Sequence, residues 1–370
     1  MKYYIIVGEP SGDLHGSNLI KELKHQDTKA NIRCWGGDKM QAAGAILVKH
    51  YRDLAFMGFI EVIKNLPAIF KNLAFCKKDI SFFKPDIVVL IDYPGFNLRM
   101  AKWIKQKGYK IVYYISPQVW AWKENRVKII KNTINKMLVI LPFEKAFYKK
   151  WHYEVEYVGH PLIEVIDEFN SSHPGKHTSS SKNIIALLPG SRKQEIEKKL
   201  PIMLSVVKHF PAYEFIVAKA PSLPVAFYDE LLKNFPGVKT MENRTYELLS
   251  LANAALVTSG TATLETALFK VPEIICYKGS PVSYQIAKRL IKIKFIGLVN
   301  LVMNKEVVKE LIQDELTEKN LVTELDLILN DTEKQKQIQT DYSALYKLLS
   351  AGGHASANAA REILNLINPV

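Results

Sequence analysis

The sequence has few cysteines and lacks the short motifs that mark the commonest cofactor sites. Its 370 residues include three cysteines, Cys34, Cys76 and Cys276, which lie far apart and form no C-x-x-C pair. A disulfide framework and a zinc site are therefore not expected, and a reducing compartment suits the chain. The G-x-G-x-x-G fingerprint and the P-loop G-K-[ST] are also missing, which argues against a dinucleotide cofactor and against ATP hydrolysis.

Long apolar runs and acidic residues are also in short supply. No uninterrupted run approaches the ~20 apolar residues of a membrane-spanning helix, and the start of the chain lacks the apolar region of a signal peptide. The 37 acidic residues are outnumbered by 50 lysines and arginines, which gives a formal net charge of +13. This charge favours anionic partners such as nucleic acid, an anionic membrane surface or a phosphorylated substrate. No groove-reading helix or RNA-binding aromatic motif is present, and solvated surface explains many of the lysines equally well.

Short β-branched runs, each followed by a polar turn and a helical stretch, recur along the chain. Continuous apolar runs of this kind are typical of parallel strands buried on both faces, which predicts a doubly wound α/β fold. The predicted strands are Tyr3–Val7, Ile87–Ile91, Ile111–Ile115, Met137–Leu141, Glu154–Val158, Ile184–Leu188, Phe215–Ala218, Ala254–Val257 and Ile274–Tyr277.

The clearest domain boundary lies in a segment rich in Ser, Gly and Pro around residues 170–183. We therefore predict a first domain at 1–170, a linker at 171–183, a second domain at 184–350 and a terminal segment at 351–370 that carries an amphipathic helix. Each half opens with a strand and a Gly/Ser turn, so two Rossmann-like domains are expected to face each other across a cleft. Ligands in such sheets bind beyond the carboxyl ends of the strands.

The second half contains two turns that suit a phosphate. The turn Thr258-Ser259-Gly260-Thr261 joins a strand to a helix that carries Glu265. Unpaired N–H groups at the helix start attract phosphate, and a carboxylate suits sugar hydroxyls. The alternative is that Thr258 or Ser259 only caps the helix and that Glu265 is solvated. In the other turn, Arg192 follows Pro189-Gly-Ser191 and can bridge two phosphate oxygens, unless it only pairs with Glu195.

The first half places polar residues after its strands. The loop that contains Gly8, Ser11, Gly12 and Asp13 either lines a cleft or is a plain capped turn. Asp92 directly follows a buried strand, where it can act as a general base or can cap the next helix.

Two further groups in the first half leave their roles open. His15 and His160 are other possible bases, although a structural role is favoured for His160. Trp120 and Trp122 either line a groove or belong to the core.

The segment 54–75 is unusually apolar, with lysines interspersed. As an amphipathic helix pair it can lie on a bilayer or accept acyl chains, and core packing is the alternative. The lipid-contact candidates within it are Phe56, Met57, Phe59 and Ile60.

Eight motifs together resemble those of the lipid A disaccharide synthase family in order and approximate spacing. They are Gly8-Glu-Pro-Ser-Gly-Asp13, Leu54-Ala-Phe-Met-Gly58, Ile91-Asp-Tyr-Pro-Gly-Phe-Asn97, Ser116-Pro-Gln-Val-Trp-Ala-Trp122, Val158-Gly-His-Pro161, Leu188-Pro-Gly-Ser-Arg192, Ser259-Gly-Thr-Ala-Thr-Leu-Glu265 and Gly297-Leu-Val-Asn-Leu301. The resemblance covers essentially the whole chain.

This resemblance implies a GT-B glycosyltransferase that moves 2,3-diacylglucosamine from its UDP derivative to the 6-hydroxyl of 2,3-diacylglucosamine 1-phosphate. It implies inversion at the anomeric carbon, no metal and no cofactor, and a peripheral position at the inner face of the Gram-negative inner membrane. It also implies a last helix that crosses back to the first domain, and a possible homodimer that exchanges this segment.

The same resemblance implies functional roles for Asp92, Arg192, Glu265 and Asn300. Asp92 is then the base, and Arg192 with Ser259, Gly260 and Thr261 holds the diphosphate. Glu265 binds the ribose, and Asn300 is a further residue of the UDP-binding site. The chain departs from the family pattern at Gly95, where an acid is common, and at Val299, where proline usually precedes Asn300.

Two other functions remain as alternatives. One is another GT-B UDP-sugar enzyme, such as an N-acetylglucosaminyltransferase or an epimerase, that acts on a soluble substrate. The other is a basic lipid- or nucleotide-binding protein without catalytic activity.

Overall fold

The computed structural model describes residues 1–54, 66–173, 183–220, 223–280, 284 and 294–367. The chain forms two compact units, one made of Met1–Pro161 with Leu349–Val370 and the other of Leu162–Leu348. The predicted boundary at residue 170 placed the helix Pro161–Ser172 in the first unit. The division instead falls at Pro161, so this helix belongs to the second unit. Residues 174–182 of the predicted linker lie outside the described residues.

The first unit is built on a seven-stranded parallel sheet with the order β3-β2-β1-β4-β5-β6-β7. Its strands are β1 Lys2–Ile6, β2 Asn31–Gly36, β3 Ile46–His50, β4 Ile87–Ile91, β5 Lys110–Tyr114, β6 Lys136–Val139 and β7 Glu156–Tyr157. Its helices are α1 Pro10–Gln26, α2 Asp38–Ala42, α3 Leu66–Phe83, α4 Pro94–Gln106, α5 Val119–Trp122, α6 Val127–Thr133 and α7 Phe143–Lys149. Hydrophobic clusters cover both faces of this sheet, as its continuous apolar strands require.

The second unit repeats the design with six parallel strands in the order β10-β9-β8-β11-β12-β13. Its strands are β8 Ile184–Leu188, β9 Glu214–Lys219, β10 Lys239–Glu242, β11 Ala254–Thr258, β12 Glu273–Tyr277 and β13 Lys309–Ile312. Its helices are α8 Pro161–Ser172, α9 Lys193–Leu204, α10 Val225–Leu232, α11 Thr245–Leu251, α12 Thr261–Leu268, α13 Leu298–Met303, α14 Glu318–Asn330 and α15 Thr332–Ser350. The doubly wound α/β prediction is therefore confirmed for both halves.

The sequence analysis missed four strands, and all four lie at or next to the edge of a sheet. β3, β10 and β13 are edge strands, and β2 is next to the edge. In β10 three of the four residues are exposed, because an edge strand needs no continuous apolar run. Their sequences therefore carry little of the signal by which the central strands were recognised.

The C-terminal helix α16, Ala355–Ile367, belongs to the first unit and packs against α1. Its apolar stripe, with Ala359 and Ile363 fully buried, joins the cluster on one face of the sheet. The preceding glycines allow close packing: a Cβ at Gly352 would lie 2.5 Å from the Gly159 backbone. The absence of a side chain at Gly352 thus allows backbone contact with the turn after β7.

Candidate active site

Asp92 lies at the carboxyl end of β4 in a backbone conformation that few non-glycine residues adopt. Asp92 and Tyr93 have φ values of 45° and 48°, and such conformations cost of the order of 1–3 kcal/mol each. The side-chain amide of Asn97 donates to the Asp92 carbonyl at 2.8 Å, and the Tyr113 hydroxyl donates to the same oxygen at 2.5 Å. These bonds hold the main chain of Asp92 and leave its carboxylate available.

The environment of the Asp92 carboxylate suits a proton acceptor. Burial raises its pKa to about 7, the negative charge of Glu9 adds to this rise, and the Tyr93 N–H partly opposes it. A general base works best when its pKa is near the working pH. Asp92 therefore has both the position and the basicity for this role.

Glu9 is a contributor that the sequence analysis did not single out. It follows β1, which is hydrogen-bonded to β4, so Glu9 and Asp92 emerge from neighbouring strands. At the adjacent Gly8, a Cβ would lie 2.3 Å from the Tyr93 ring. The absence of a side chain at Gly8 therefore allows this loop to pack against the residue that follows Asp92. The only sequence signal for Glu9 was its place inside the first loop motif.

The remaining residues of the first loop have structural roles of different kinds. Ser11, Gly12 and Asp13 already belong to α1. The buried Asp13 carboxylate accepts from the N–H groups of Gly37, Lys39 and Met40 at 2.8–3.1 Å, so it caps α2. Gly12 packs on Val7, and a Cβ added at Gly12 would lie 2.9 Å from the Cβ of Val7. Ser11 is exposed.

The two candidate histidines are poor bases in this structure. His15 and His160 are both buried. Burial lowers the pKa of His15 to about 4, and burial together with the nearby His15 lowers that of His160 to about 3. Both are therefore neutral near pH 7 and much weaker bases than Asp92.

The two tryptophans have separate roles. Trp120 is buried, contacts Phe143 edge to face and donates to the buried Glu144 carboxylate at 3.2 Å. Trp122 is 49% exposed, and the Lys123 ammonium lies 4.1 Å from the centre of one of its rings. Core packing thus applies to Trp120, whereas Trp122 is available at the surface.

In the second unit, the turn after β8 bends at Gly190 and presents Arg192. Gly190 has φ +115°, and a Cβ there would lie 2.7 Å from a Glu195 carboxylate oxygen. Arg192 is the N-cap of α9 and pairs with Glu195 at 3.3 Å. Because the Arg192 side chain is 54% exposed, this pair is worth ~0–1 kcal/mol, so a phosphate can compete for the guanidinium.

A second cation lies one helical turn beyond Glu195. The Lys199 ammonium is 4.0 Å from Glu195, and its side chain is 5% exposed. Burial lowers its pKa, an effect that Glu195 opposes. The sequence analysis did not identify Lys199, although the i, i+4 spacing from Glu195 was the signal available.

The turn after β11 leaves the start of α12 without a side-chain cap. Gly260, with φ +145°, is the N-cap residue, and no described atom lies within 4 Å of where its Cβ would stand. The hydroxyl of Ser259 donates to the Ile296 carbonyl at 2.9 Å, and that of Thr258 donates to the Cys276 carbonyl at 3.4 Å. The interpretation that Thr258 or Ser259 caps the helix is therefore wrong.

Glu265 is half-buried on α12 and accepts a hydrogen bond from the Tyr246 hydroxyl at 2.8 Å. Burial raises the pKa of Glu265, and the bond from Tyr246 partly offsets this rise. Glu265 is thus held in place by a neighbour, unlike the freely solvated residue of the alternative interpretation.

Asn300 has no hydrogen-bonding capacity to spare. It is fully buried. Its amide nitrogen donates to the Val308 carbonyl at 2.8 Å and to the Glu310 carboxylate at 2.9 Å. Its amide oxygen accepts from the N–H groups of Val307 and Val308. Glu310 also accepts from the N–H groups of Ile296 and Gly297. Direct binding of a ligand by the Asn300 side chain is therefore not supported, and its role is to shape the 296–300 segment. Val299, which stands where the family usually has proline, is a buried residue of α13.

Four lipid-contact candidates, Phe56, Met57, Phe59 and Ile60, lie outside the described residues. Within the part of the chain that the structure describes, no group of three or more His, Cys, Asp or Glu side chains is placed to hold a metal ion. In the same part, every helix is too short or too polar to cross a membrane.

The fold of the two units defines a structural class, the GT-B fold. The structure resembles a UDP-GlcNAc 2-epimerase from Neisseria meningitidis bound to UDP-GlcNAc, with a TM-score of 0.66, 13% identity and coverage of 99% of both chains. It also resembles the calicheamicin glycosyltransferase CalG4, with a TM-score of 0.61, 15% identity and coverage of 100% of this chain and 99% of the other. At these identities the likeness establishes the fold.

The sequence comparisons define the family within this class. The family model described as lipid-A-disaccharide synthetase matches residues 3–364. Relatives described as lipid-A-disaccharide synthase are 37% identical in Geobacter metallireducens and 38% in Syntrophus aciditrophicus, each over 98% of this chain and 96–97% of the relative. The chain belongs to the lipid-A-disaccharide synthase family and is a glycosyltransferase of lipid A disaccharide synthesis. The soluble UDP-sugar alternative is not favoured.

Proposed function

We propose that the protein transfers 2,3-diacylglucosamine from its UDP derivative to the 6-hydroxyl of 2,3-diacylglucosamine 1-phosphate, with inversion at the anomeric carbon. The products are the β-1,6 disaccharide 1-phosphate and UDP. The observation that carries this proposal is the poised carboxylate of Asp92 within a chain that matches the family over nearly its full length. Inversion needs one base, which accepts the proton of the attacking hydroxyl while the bond to UDP breaks.

The two units divide the work in this proposal. In the first, Asp92 removes the proton from the acceptor hydroxyl. In the second, Arg192 and the N–H groups at the start of α12 stabilise the charge that builds on the departing diphosphate. The transition state resembles an oxocarbenium ion, as in glycoside hydrolysis. Glu265 accepts from the ribose hydroxyls, held by Tyr246.

A turnover assay with the diacylated UDP-sugar and its 1-phosphate acceptor tests this function. We expect release of UDP together with a disaccharide product, and we expect the same rate when EDTA is added. Turnover of UDP-N-acetylglucosamine without acyl chains would support a soluble-substrate enzyme instead. Tight binding of UDP or lipid with no product at any enzyme concentration would identify a binding protein.

The acid side of the pH profile gives a second test. Because Asp92 must be deprotonated to act, kcat/KM should fall about tenfold per pH unit below a pKa of about 7. In Glu9→Gln the loss of one negative charge lowers the pKa of Asp92, so this fall should move to lower pH. A fall that stays at the same pH in Glu9→Gln would show that a different group titrates, such as the phosphate of the acceptor.

We also propose that α3 rests on an anionic membrane surface, which would place the protein at the inner face of the inner membrane. Phe70 and Phe82 are 62% and 78% exposed, and Phe75 is 45% exposed. Lys71 and Lys78 are exposed on the same helix. Aromatic residues interspersed with lysines suit the interface of an anionic bilayer. The carboxylate of Asp79, on the same helix, accepts from Tyr4 and Arg33, each at 2.7 Å, and so ties α3 to the sheet.

Replacing the three phenylalanines by serine should release the protein from membranes. Since burial of each phenylalanine contributes ~1.5–3 kcal/mol, co-sedimentation with phosphatidylglycerol vesicles should fall by more than tenfold in the triple variant. Ile46→Ser is the matched control, because Ile46 is 54% exposed on β3 of the same unit. Equal loss in the control, or retention in the triple variant, would reject α3 as the docking surface.

A homodimer that exchanges its C-terminal segment is also proposed. In the single chain α16 packs on its own first unit, and the same contacts can form with the helix of a second copy. Sedimentation equilibrium distinguishes the monomer from the dimer.

A further inference from the structure

Three cations lie together on the first unit near Asp92. Lys123 and Arg126 belong to the short segment after α5, and Arg99 is on α4, which packs against α6. Burial, and then the charge of Arg126, lower the pKa of Lys123. Burial and the charge of Arg99 lower that of Arg126. Arg126 is therefore close enough to repel both Lys123 and Arg99.

The cations of this cluster stand apart from the ion pairs of the described part of the chain. Within the described residues, no carboxylate forms an ion pair with Arg99, Lys123 or Arg126. Other cations of the first unit are paired in this way, such as Arg33 with Asp79 and Lys136 with Glu362. Glu124, which lies between Lys123 and Arg126 in sequence, is exposed. Repulsion between the partly buried cations Lys123 and Arg126 is unfavourable unless an anion is bound.

Two aromatic residues link the cluster to Asp92. Lys123 and Arg126 both lie over the exposed Trp122, at 4.1 and 5.7 Å from the ring centre. The charge of Arg126 also acts on the Tyr113 hydroxyl, which donates to the Asp92 carbonyl. No described atom lies within 4 Å of where a Cβ of Gly95 would stand, so there is open space on the first turn of α4, beside Asp92. The base, the open space and the cations thus lie at the carboxyl ends of the adjacent strands β4 and β5.

We propose that Arg126 and Lys123, with Arg99 beside them, bind the phosphate monoester on the acceptor sugar. This inference rests on the proposed function, in which the acceptor carries a phosphate at C1 and reacts at its 6-hydroxyl. Those two groups lie on opposite sides of the ring oxygen, so one pyranose can place its hydroxyl at Asp92 and its phosphate at the cations. A phosphate monoester carries about −1.5 to −2 charges near pH 7, which matches the uncompensated positive charge of the cluster.

The decisive measurement compares two acceptors in detergent micelles: diacylglucosamine 1-phosphate and the 1-O-methyl glycoside with the same acyl chains. The wild-type enzyme should prefer the phosphorylated acceptor in kcat/KM. In the double variant Lys123→Gln/Arg126→Gln this preference should fall about 10²–10⁴-fold, because two charged contacts are lost. Its kcat/KM for the methyl glycoside and its KM for the UDP-sugar should stay within about twofold. The preference is the ratio of two kcat/KM values measured on one protein sample. A lower fraction of folded protein reduces both values equally and leaves the ratio unchanged.

Lys128→Gln serves as the control, since Lys128 is an exposed lysine of the adjacent helix α6. The acceptor preference of this variant should equal that of the wild type.

The phosphate of a membrane lipid is the other source of the same chemistry, and binding to phosphatidylglycerol vesicles tests it. Vesicle binding that is lost in the double variant while the acceptor preference is kept would assign the cluster to lipid headgroups and overturn the proposal. An increase in the KM for the UDP-sugar with an unchanged preference would assign it to the donor. Failure of the wild type to use either acceptor would instead reject the proposed function itself.

Discussion

Replacing Asp92 by asparagine is expected to lower kcat by about 10²–10⁴-fold, the usual contribution of a general base. Asparagine keeps the size of the side chain and cannot accept the proton of the acceptor hydroxyl. The main-chain bonds from Asn97 and Tyr113 to the Asp92 carbonyl do not depend on the side chain, so the loop should keep its shape. Steady-state turnover at saturating substrates measures the loss, and calorimetry should show unchanged affinity for UDP.

The control for this experiment is Asp86→Asn, because Asp86 lies just before the same strand and its carboxylate accepts from the Lys2 N–H at the start of the neighbouring strand β1. It should retain turnover close to that of the wild type. If Asp92→Asn itself turned over at a near-normal rate, Asp92 would not be the base, and the neutral histidines would have to be reconsidered despite their low pKa values.

Replacing Arg192 by alanine should give the second largest effect, a loss of about 10²-fold in kcat/KM for the UDP-sugar. A charge-assisted hydrogen bond contributes about 1.5–3 kcal/mol, and a donor that stabilises developing charge typically contributes ~10²–10³ in rate. Arg192→Lys should recover part of this loss, because lysine keeps the charge but not the two-pronged contact. Initial rates at varied UDP-sugar concentration and calorimetric titration with UDP measure the two components.

Glu195→Gln separates the two interpretations of Arg192. If Arg192 binds the diphosphate, removal of its competing carboxylate raises UDP affinity. If Arg192 only pairs with Glu195, Arg192→Ala and Glu195→Gln should both leave UDP affinity unaltered. Lys193→Ala controls for the general loss of a positive charge, since Lys193 is exposed at the next position and pairs with Glu197.

The sequence predicted the central strands well because their signal is local. The bounds of β4 and β8 agree with the predicted Ile87–Ile91 and Ile184–Leu188, and α16 agrees with the predicted terminal helix. Asp92 and Arg192 could be selected as candidates because each follows such a strand directly. The edge strand β10 escaped detection because its exposed residues break the continuous apolar run.

Side-chain roles were harder to predict, because a polar residue in a turn has many possible partners. Asp13 belongs to a loop motif of small and polar residues, yet its carboxylate caps a helix more than twenty residues away. Asn300 was assigned to the nucleotide and is instead saturated by Val307, Val308 and Glu310. Glu9 and Lys199 carry no distinctive local pattern, so their contribution was visible only once neighbouring strands and helix turns had been assembled.

The sequence by itself determined the α/β class, the family and the turns in which the candidate residues lie, because periodicity and motif order are properties of the chain. Only the tertiary structure decided which of those residues are free to act. Burial and the charge of Glu9 give Asp92 its pKa of about 7, and hydrogen bonds within each unit occupy the side chains of Asp13 and Asn300. Burial and electrostatic interaction depend on groups brought together from separate parts of the chain, and sequence spacing does not record that proximity.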